Sequence, residues 1–95
     1  MRREIEKFLK QFPTDATSWA QATDEVRDLA RLAREHLEEY DGMIVEPVDF
    51  RHAKTPAEWN TKGREFILDS FDRMQERARK AYYEKFRAYF GQEEE

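Results

Sequence analysis

Apolar residues recur at helical spacing through most of this chain and stop doing so in one stretch. Ile5, Phe8, Leu9 and Phe12 stand at i, i+3, i+4 and i+7, which predicts a short amphipathic helix over 2–11. Pro13-Thr14-Asp15 breaks it, and Thr17 or Ser18 can cap the next helix, Ser18 forming a possible capping box with Gln21. The second helix is predicted over 18–40. Its inward stripe is Ala22, Val26, Leu29, Ala30, Ala33, Leu37 and Tyr40, with Trp19 and Leu32 at the margins, and Asp41-Gly42 supplies the stop. From Met43 the pattern changes to β-branched and apolar residues around a proline, Met43-Ile44-Val45-Glu46-Pro47-Val48-Asp49-Phe50, which reads as extended backbone within a loop over 41–55.

Thr55-Pro56-Ala57-Glu58 then opens a third helix. Thr is a favoured N-cap, Pro suits the first helical position, and Glu at the third can reach back to the cap. No proline follows and Gly63 is the only glycine before Gly91, so one helix is predicted over 56–90, roughly 50 Å long. Trp59, Gly63, Phe66, Ile67, Ser70, Phe71, Met74, Ala78 and Ala81 share a face. Beyond Ala81 the stripe rotates to Tyr82, Phe86, Tyr89 and Phe90, with Lys85 where it would have continued, and an acidic tail occupies 91–95. The second helix spans roughly 34 Å, so the third overhangs it by about ten residues. The expected architecture is all-α: a long antiparallel helical hairpin with a short N-terminal third helix closing its far end, a three-helix bundle with an extended inter-helix loop, all in one domain over 1–95. Self-association would cover the same faces.

Composition narrows the class. Charged residues make up 40% of the chain, which suits long helices, while 14% aromatics give it apolar area to bury and argue against disorder. A net charge of −4 gives no bulk attraction to nucleic acid or acidic membranes. Cysteine is absent, which removes disulfides and thiolate chemistry and fits a reducing compartment. No apolar run reaches the length of a membrane span or a signal-peptide core. A soluble cytoplasmic protein with no membrane partner is expected.

Candidate chemistry is thin. A metal reading would combine His36 and Glu39 with Asp49 or His52, but the order His-x-x-Glu reverses the Glu-x-x-His of carboxylate-bridged bundles. A packed histidine is the better account, one whose charge could respond near neutral pH. Ser70 stands at a small-residue position beside Gly63 and Ala78 without a nucleophile elbow, and the carboxylates Glu65, Asp69 and Asp72 belong to an outer face. No catalytic residue, metal or cofactor is expected. Arg77, Arg79, Lys80, Lys85 and Arg87, interleaved with Tyr82, Tyr83 and Phe86, suit phosphates and stacked bases, although Glu76 and Glu84 interrupt them. An acidic row on the second helix, Asp24, Asp28, Glu35 and Glu39, runs beside a basic row of Arg27, Arg31 and Arg34, and such rows keep a helix solvated.

The leading expectation is a small non-enzymatic interaction module, an adaptor, assembly chaperone or inhibitor of a larger complex, binding another protein or itself as a homodimer. Its expected contact residues are Tyr82, Tyr83, Phe86, Tyr89 and Phe90, then Ile44, Val48 and Phe50. The alternative is a nucleic-acid-binding regulator using the basic end.

Overall fold

A computed structural model describes residues 1–12, 24–45 and 53–90, at positions 89 and 90 for the backbone alone. The described residues are all-α, with four helices and no strand: α1 Arg2–Leu9, α2 Asp24–Tyr40, α3 Pro56–Arg73 and α4 Glu76–Phe90. The expected beginning of the second helix, residues 18–23, lies outside the described residues, as do Trp19, Ala22 and the Ser18–Gln21 pair.

Helix ends follow local chemistry where the signals are strong. Thr55 Oγ1 accepts the Glu58 N–H at 3.1 Å and Pro56 takes the first position of α3, as the sequence predicts. Asp24 and Glu25 place negative charge in the first turn of α2, against the positive end of its dipole. Beyond its last turn Gly42 adopts φ +71°, and the Met43 N–H reaches back to the Leu37 carbonyl at 3.1 Å.

The predicted 56–90 helix is not continuous. Met74 has ψ 144°, an extended value, and separates α3 from α4 without help from proline or glycine. The three-helix arrangement is therefore corrected to four helices. Side chains from elsewhere replace the helical bonds lost at this corner. Arg79 donates from Nε to the Phe71 carbonyl at 3.1 Å and from Nη2 to the Asp72 carbonyl at 2.8 Å, closing the end of α3. Asp41 Oδ2 accepts the Gln75 N–H at 2.9 Å, and its charge complements the start of α4. Breaking the helix would otherwise leave orphan backbone groups at two termini. With those groups partnered, the fold-back is favoured by burial of Ala78, Tyr82 and Phe86. A large apolar side chain contributes about 1.5–3 kcal/mol when fully buried.

Helix directions follow from which residues meet. The Arg27 guanidinium lies 5.4 Å from the Trp59 ring centre, and Asp41 meets Gln75, so α2 and α3 start together and end together. They run parallel, and the expected antiparallel hairpin is not formed. Helix α4 returns along α2: Arg77 sits over the Tyr40 ring, and the Tyr82 hydroxyl donates to the Leu29 carbonyl at 3.2 Å. Helix α1 lies against α3 in the opposite sense, with Arg2 on Asp72 at 2.7 Å and Arg64 donating to the Leu9 and Phe12 carbonyls. One core results, with Ile5 and Leu9 from α1, Val26, Leu29, Ala33 and Leu37 from α2, Ile67, Phe71 and Met74 from α3 and its corner, and Ala78, Tyr82 and Phe86 from α4. The apolar stripe does not swing round one helix at residue 81; the chain itself turns at residue 74.

Candidate interaction surface

The expected contact residues separate into four groups. Tyr82 and Phe86 are buried, at 0% and 3% exposure, because the corner carries them into the core. The Phe86 ring meets Phe8 edge-on at 5.4 Å, so α1 covers part of the aromatic end, as its spacing predicts. Tyr83 is half-buried, its ring stacked on Phe86 at 6.1 Å with the Arg87 guanidinium over it at 5.9 Å. Ile44 is 95% exposed, directly after Gly42 and the partly exposed Met43, while Val45 packs against the core. The side chains of Tyr89 and Phe90 lie outside the described residues, as do Val48 and Phe50. Sequence reading singled out Ile44 but not Met43, whose exposure follows from the left-handed turn at Gly42 just before it.

The basic residues of α4 are largely engaged with the chain itself. Arg79 closes the end of α3, Arg77 covers Tyr40, Lys80 pairs with Glu76 at 3.5 Å and Arg87 covers Tyr83. Lys85 is exposed. The rows on α2 pair with each other, Asp24 with Arg27, Asp28 with Arg31, and Arg31 with Glu35, as exposed helical neighbours worth a few tenths of a kcal/mol each.

His36 is 1% exposed. Its Nδ1 lies 2.9 Å from the Leu32 carbonyl, an approach that requires the proton on Nδ1. Its ring stacks on Tyr40 at 5.3 Å and meets Tyr82 edge-on at 5.7 Å. Glu39 is exposed on α2, and Asp49 and His52 lie outside the described residues. Among the described residues no three His, Asp or Glu side chains converge as metal ligands would. Ser70 is buried in α3, Asp69 pairs with Arg73 at 3.3 Å, and Asp72 is taken by Arg2. Tyr82 is held protonated well above the usual phenol range because burial penalises the phenolate. No helix among the described residues is long and apolar enough to cross a membrane.

Comparison with known proteins returns no matching family model, no matching curated protein and no matching solved structure.

Proposed function

We propose that this chain is a small non-enzymatic protein–protein interaction module, an adaptor, assembly chaperone or inhibitor, whose contact surface centres on Ile44 and Met43. The observation carrying this reading is the 95% exposure of Ile44 in a molecule that places its other isoleucine, valine and aromatic side chains in or against the core wherever they are described. A solvated isoleucine beside a second exposed apolar residue gains from being covered, about 25 cal/mol for each Å² removed from water. The residues after it, including Val48 and Phe50, extend the same apolar composition. Tyr82 and Phe86 leave the contact set and act as its support, and Tyr83 stays in it as a half-exposed aromatic. A second copy of the chain is as acceptable a partner as another protein, and the reading calls for no cofactor. Absence of cysteine favours a reducing compartment such as the cytoplasm.

A photo-crosslinking residue in place of Met43, expressed in the native host, tests this. The expected result is one discrete adduct that disappears when Ile44→Asp is added while helix content is retained. An adduct of twice the chain mass identifies a homodimer. No adduct, or one indifferent to Ile44→Asp, removes the surface from consideration.

A further inference from the structure

The corner between α3 and α4 is held from outside rather than by its own sequence. Residues 71–78, Phe-Asp-Arg-Met-Gln-Glu-Arg-Ala, contain no proline, glycine or β-branched residue, and Met, Gln, Glu, Arg and Ala are strong helix formers. Gln75, just before α4, is not a favoured N-cap. Met74 is extended at φ −68° and ψ 144°, where helices commonly end on a left-handed glycine or asparagine. Apolar spacing also runs straight through: Ile67, Phe71, Met74 and Ala78 stand at i, i+4, i+7 and i+11, all buried. Two residues, Met74 and Gln75, therefore separate helices whose local sequence favours a single one.

Opening this corner costs little locally. Among the described residues three side-chain bonds hold it, from Arg79 to the Phe71 and Asp72 carbonyls and from the Gln75 N–H to Asp41 Oδ2. A straight helix replaces them with four backbone bonds, from the N–H groups of Gln75, Glu76, Arg77 and Ala78 to the carbonyls four residues earlier. Asp41 is also an imperfect clasp, because its Oδ1 is buried with no hydrogen-bond partner among the described residues. The cost of opening lies instead in Ala78, Tyr82 and Phe86, which lose their cover. Only the seam they leave matches them, with the Leu29 carbonyl for the Tyr82 hydroxyl, Phe8 for the Phe86 ring and Tyr40 for the Arg77 guanidinium. A second copy of the chain carries that same seam.

We propose that two copies of this chain exchange α4, with Met74 and Gln75 as the hinge: α3 and α4 join in one straight helix, and each α4 fills the seam on the other copy's α1 and α2. The seam contacts of the single chain are kept and only the hinge changes, which makes exchange a low-cost route to a dimer. The two copies then meet at their corner ends. Ile44 belongs to that end, three residues beyond the Asp41 that holds Gln75, so the exchange covers it. On this last point the inference rests on the interaction surface proposed above, and it names the partner as a second copy.

Sedimentation of the full chain is expected to show a dimer whose share grows with concentration. Spin labels on Glu65→Cys and Lys85→Cys, both exposed positions, report the hinge. Along a straight helix they stand about 30 Å apart. In the bent chain they are closer, since Phe86 meets Phe8 and the adjoining Leu9 meets Arg64. Refolded with excess unlabelled chain, the dimer fraction is expected to give the long separation and the monomer fraction the short one. Gln75→Pro, which suits the extended Met74 and forbids the straight helix, is expected to abolish the dimer. Asp41→Ala, which removes the clasp, is expected to raise the dimerisation constant about tenfold. Ile44→Asp is expected to weaken the exchanged dimer without shortening the separation; an exchanged dimer indifferent to it upholds the exchange and takes Ile44 out of the contact. A monomer at every concentration in both the parent chain and Asp41→Ala, or a dimer that persists in Gln75→Pro, overturns the exchange. So does a dimer with the short separation within each chain, which leaves Ile44 as an ordinary homodimer surface.

Discussion

The seam between α2 and α4 and the seam between α1 and α3 hold the same core by different means. Along α2 and α4 the contacts are aromatic and buried, with the Tyr82 hydroxyl committed to the Leu29 carbonyl and the His36 Nδ1 to the Leu32 carbonyl. Along α1 and α3 two aliphatic side chains, Ile5 and Leu9, do the burying, while charge sits at the ends, Arg2 on Asp72 and Arg64 on the Leu9 and Phe12 carbonyls. Burial desolvates the first seam, so alkaline pH reaches it through the Tyr82 phenol. The polar contacts of the second are partly in water, so salt reaches them. An eight-residue helix has no stability of its own, so α1 is held by docking alone.

The largest effect expected on this contrast is at the α1 seam. Ile5→Ala should lose about 2–4 kcal/mol in urea unfolding, the range for deleting buried aliphatic atoms. Adding Leu9→Ala should then change little, because a detached α1 has no more docking energy to lose. Amides of Glu6–Leu9 should exchange freely in the double variant while α2 stays protected. Fully additive losses would make α1 an inseparable part of the core and erase the distinction.

A smaller effect separates the buried seam. Tyr82→Phe should lower stability at neutral pH by about 1 kcal/mol, the usual net worth of one hydrogen bond. Its alkaline behaviour is more diagnostic. Burial raises the Tyr82 pKa, so the folded chain keeps the proton while the unfolded chain ionises. That stabilising contribution is complete below about pH 10, the unfolded value, and is lost as pH rises beyond it. Urea midpoints measured upward from neutral should fall less steeply above pH 10 in Tyr82→Phe than in the parent chain. Equal slopes would mean that Tyr82 is solvated in solution.

The smallest effect belongs to the exposed pair. Asp72 accepts two bonds from Arg2, and this hydrogen bonding, with the attraction between the charges, raises the guanidinium pKa. Asp72→Asn should shift stability slightly at low salt and not at all at high salt, read by the same unfolding curves. A shift independent of salt would point to packing by the arginine stem instead.

The parts of this fold legible in the sequence are those whose causes are local. Thr55, Pro56 and Glu58 announce the start of α3 within four residues, and Ile5, Phe8 and Leu9 reveal the inward face of α1 by spacing alone. The corner at Met74 is hidden for the opposite reason: its lost helical bonds are replaced by Asp41, thirty-four positions away, and by Arg79, which reads as a surface cation until its carbonyl partners are in view. That one omission propagates. A straight helix leaves Tyr82 and Phe86 overhanging, where they read as partner-binding surplus, whereas the bend makes them core. The apolar character of Ile44 is plain from sequence, but its exposure depends on where Gly42 sends the chain.

The shared direction of α2 and α3 turns the stretch between them into a tether with a minimum length. It begins where Asp41 meets Gln75 and finishes at the opposite end of both helices, beside Trp59 and Arg27. Seventeen residues of α2 measure about 25 Å along the axis. A fully stretched chain advances at most about 3.6 Å per residue, so some seven or eight residues are the least that can bridge the gap. Trimming residues 42–54 below that span would force one helix out of register, whereas the same excision between antiparallel neighbours would be harmless.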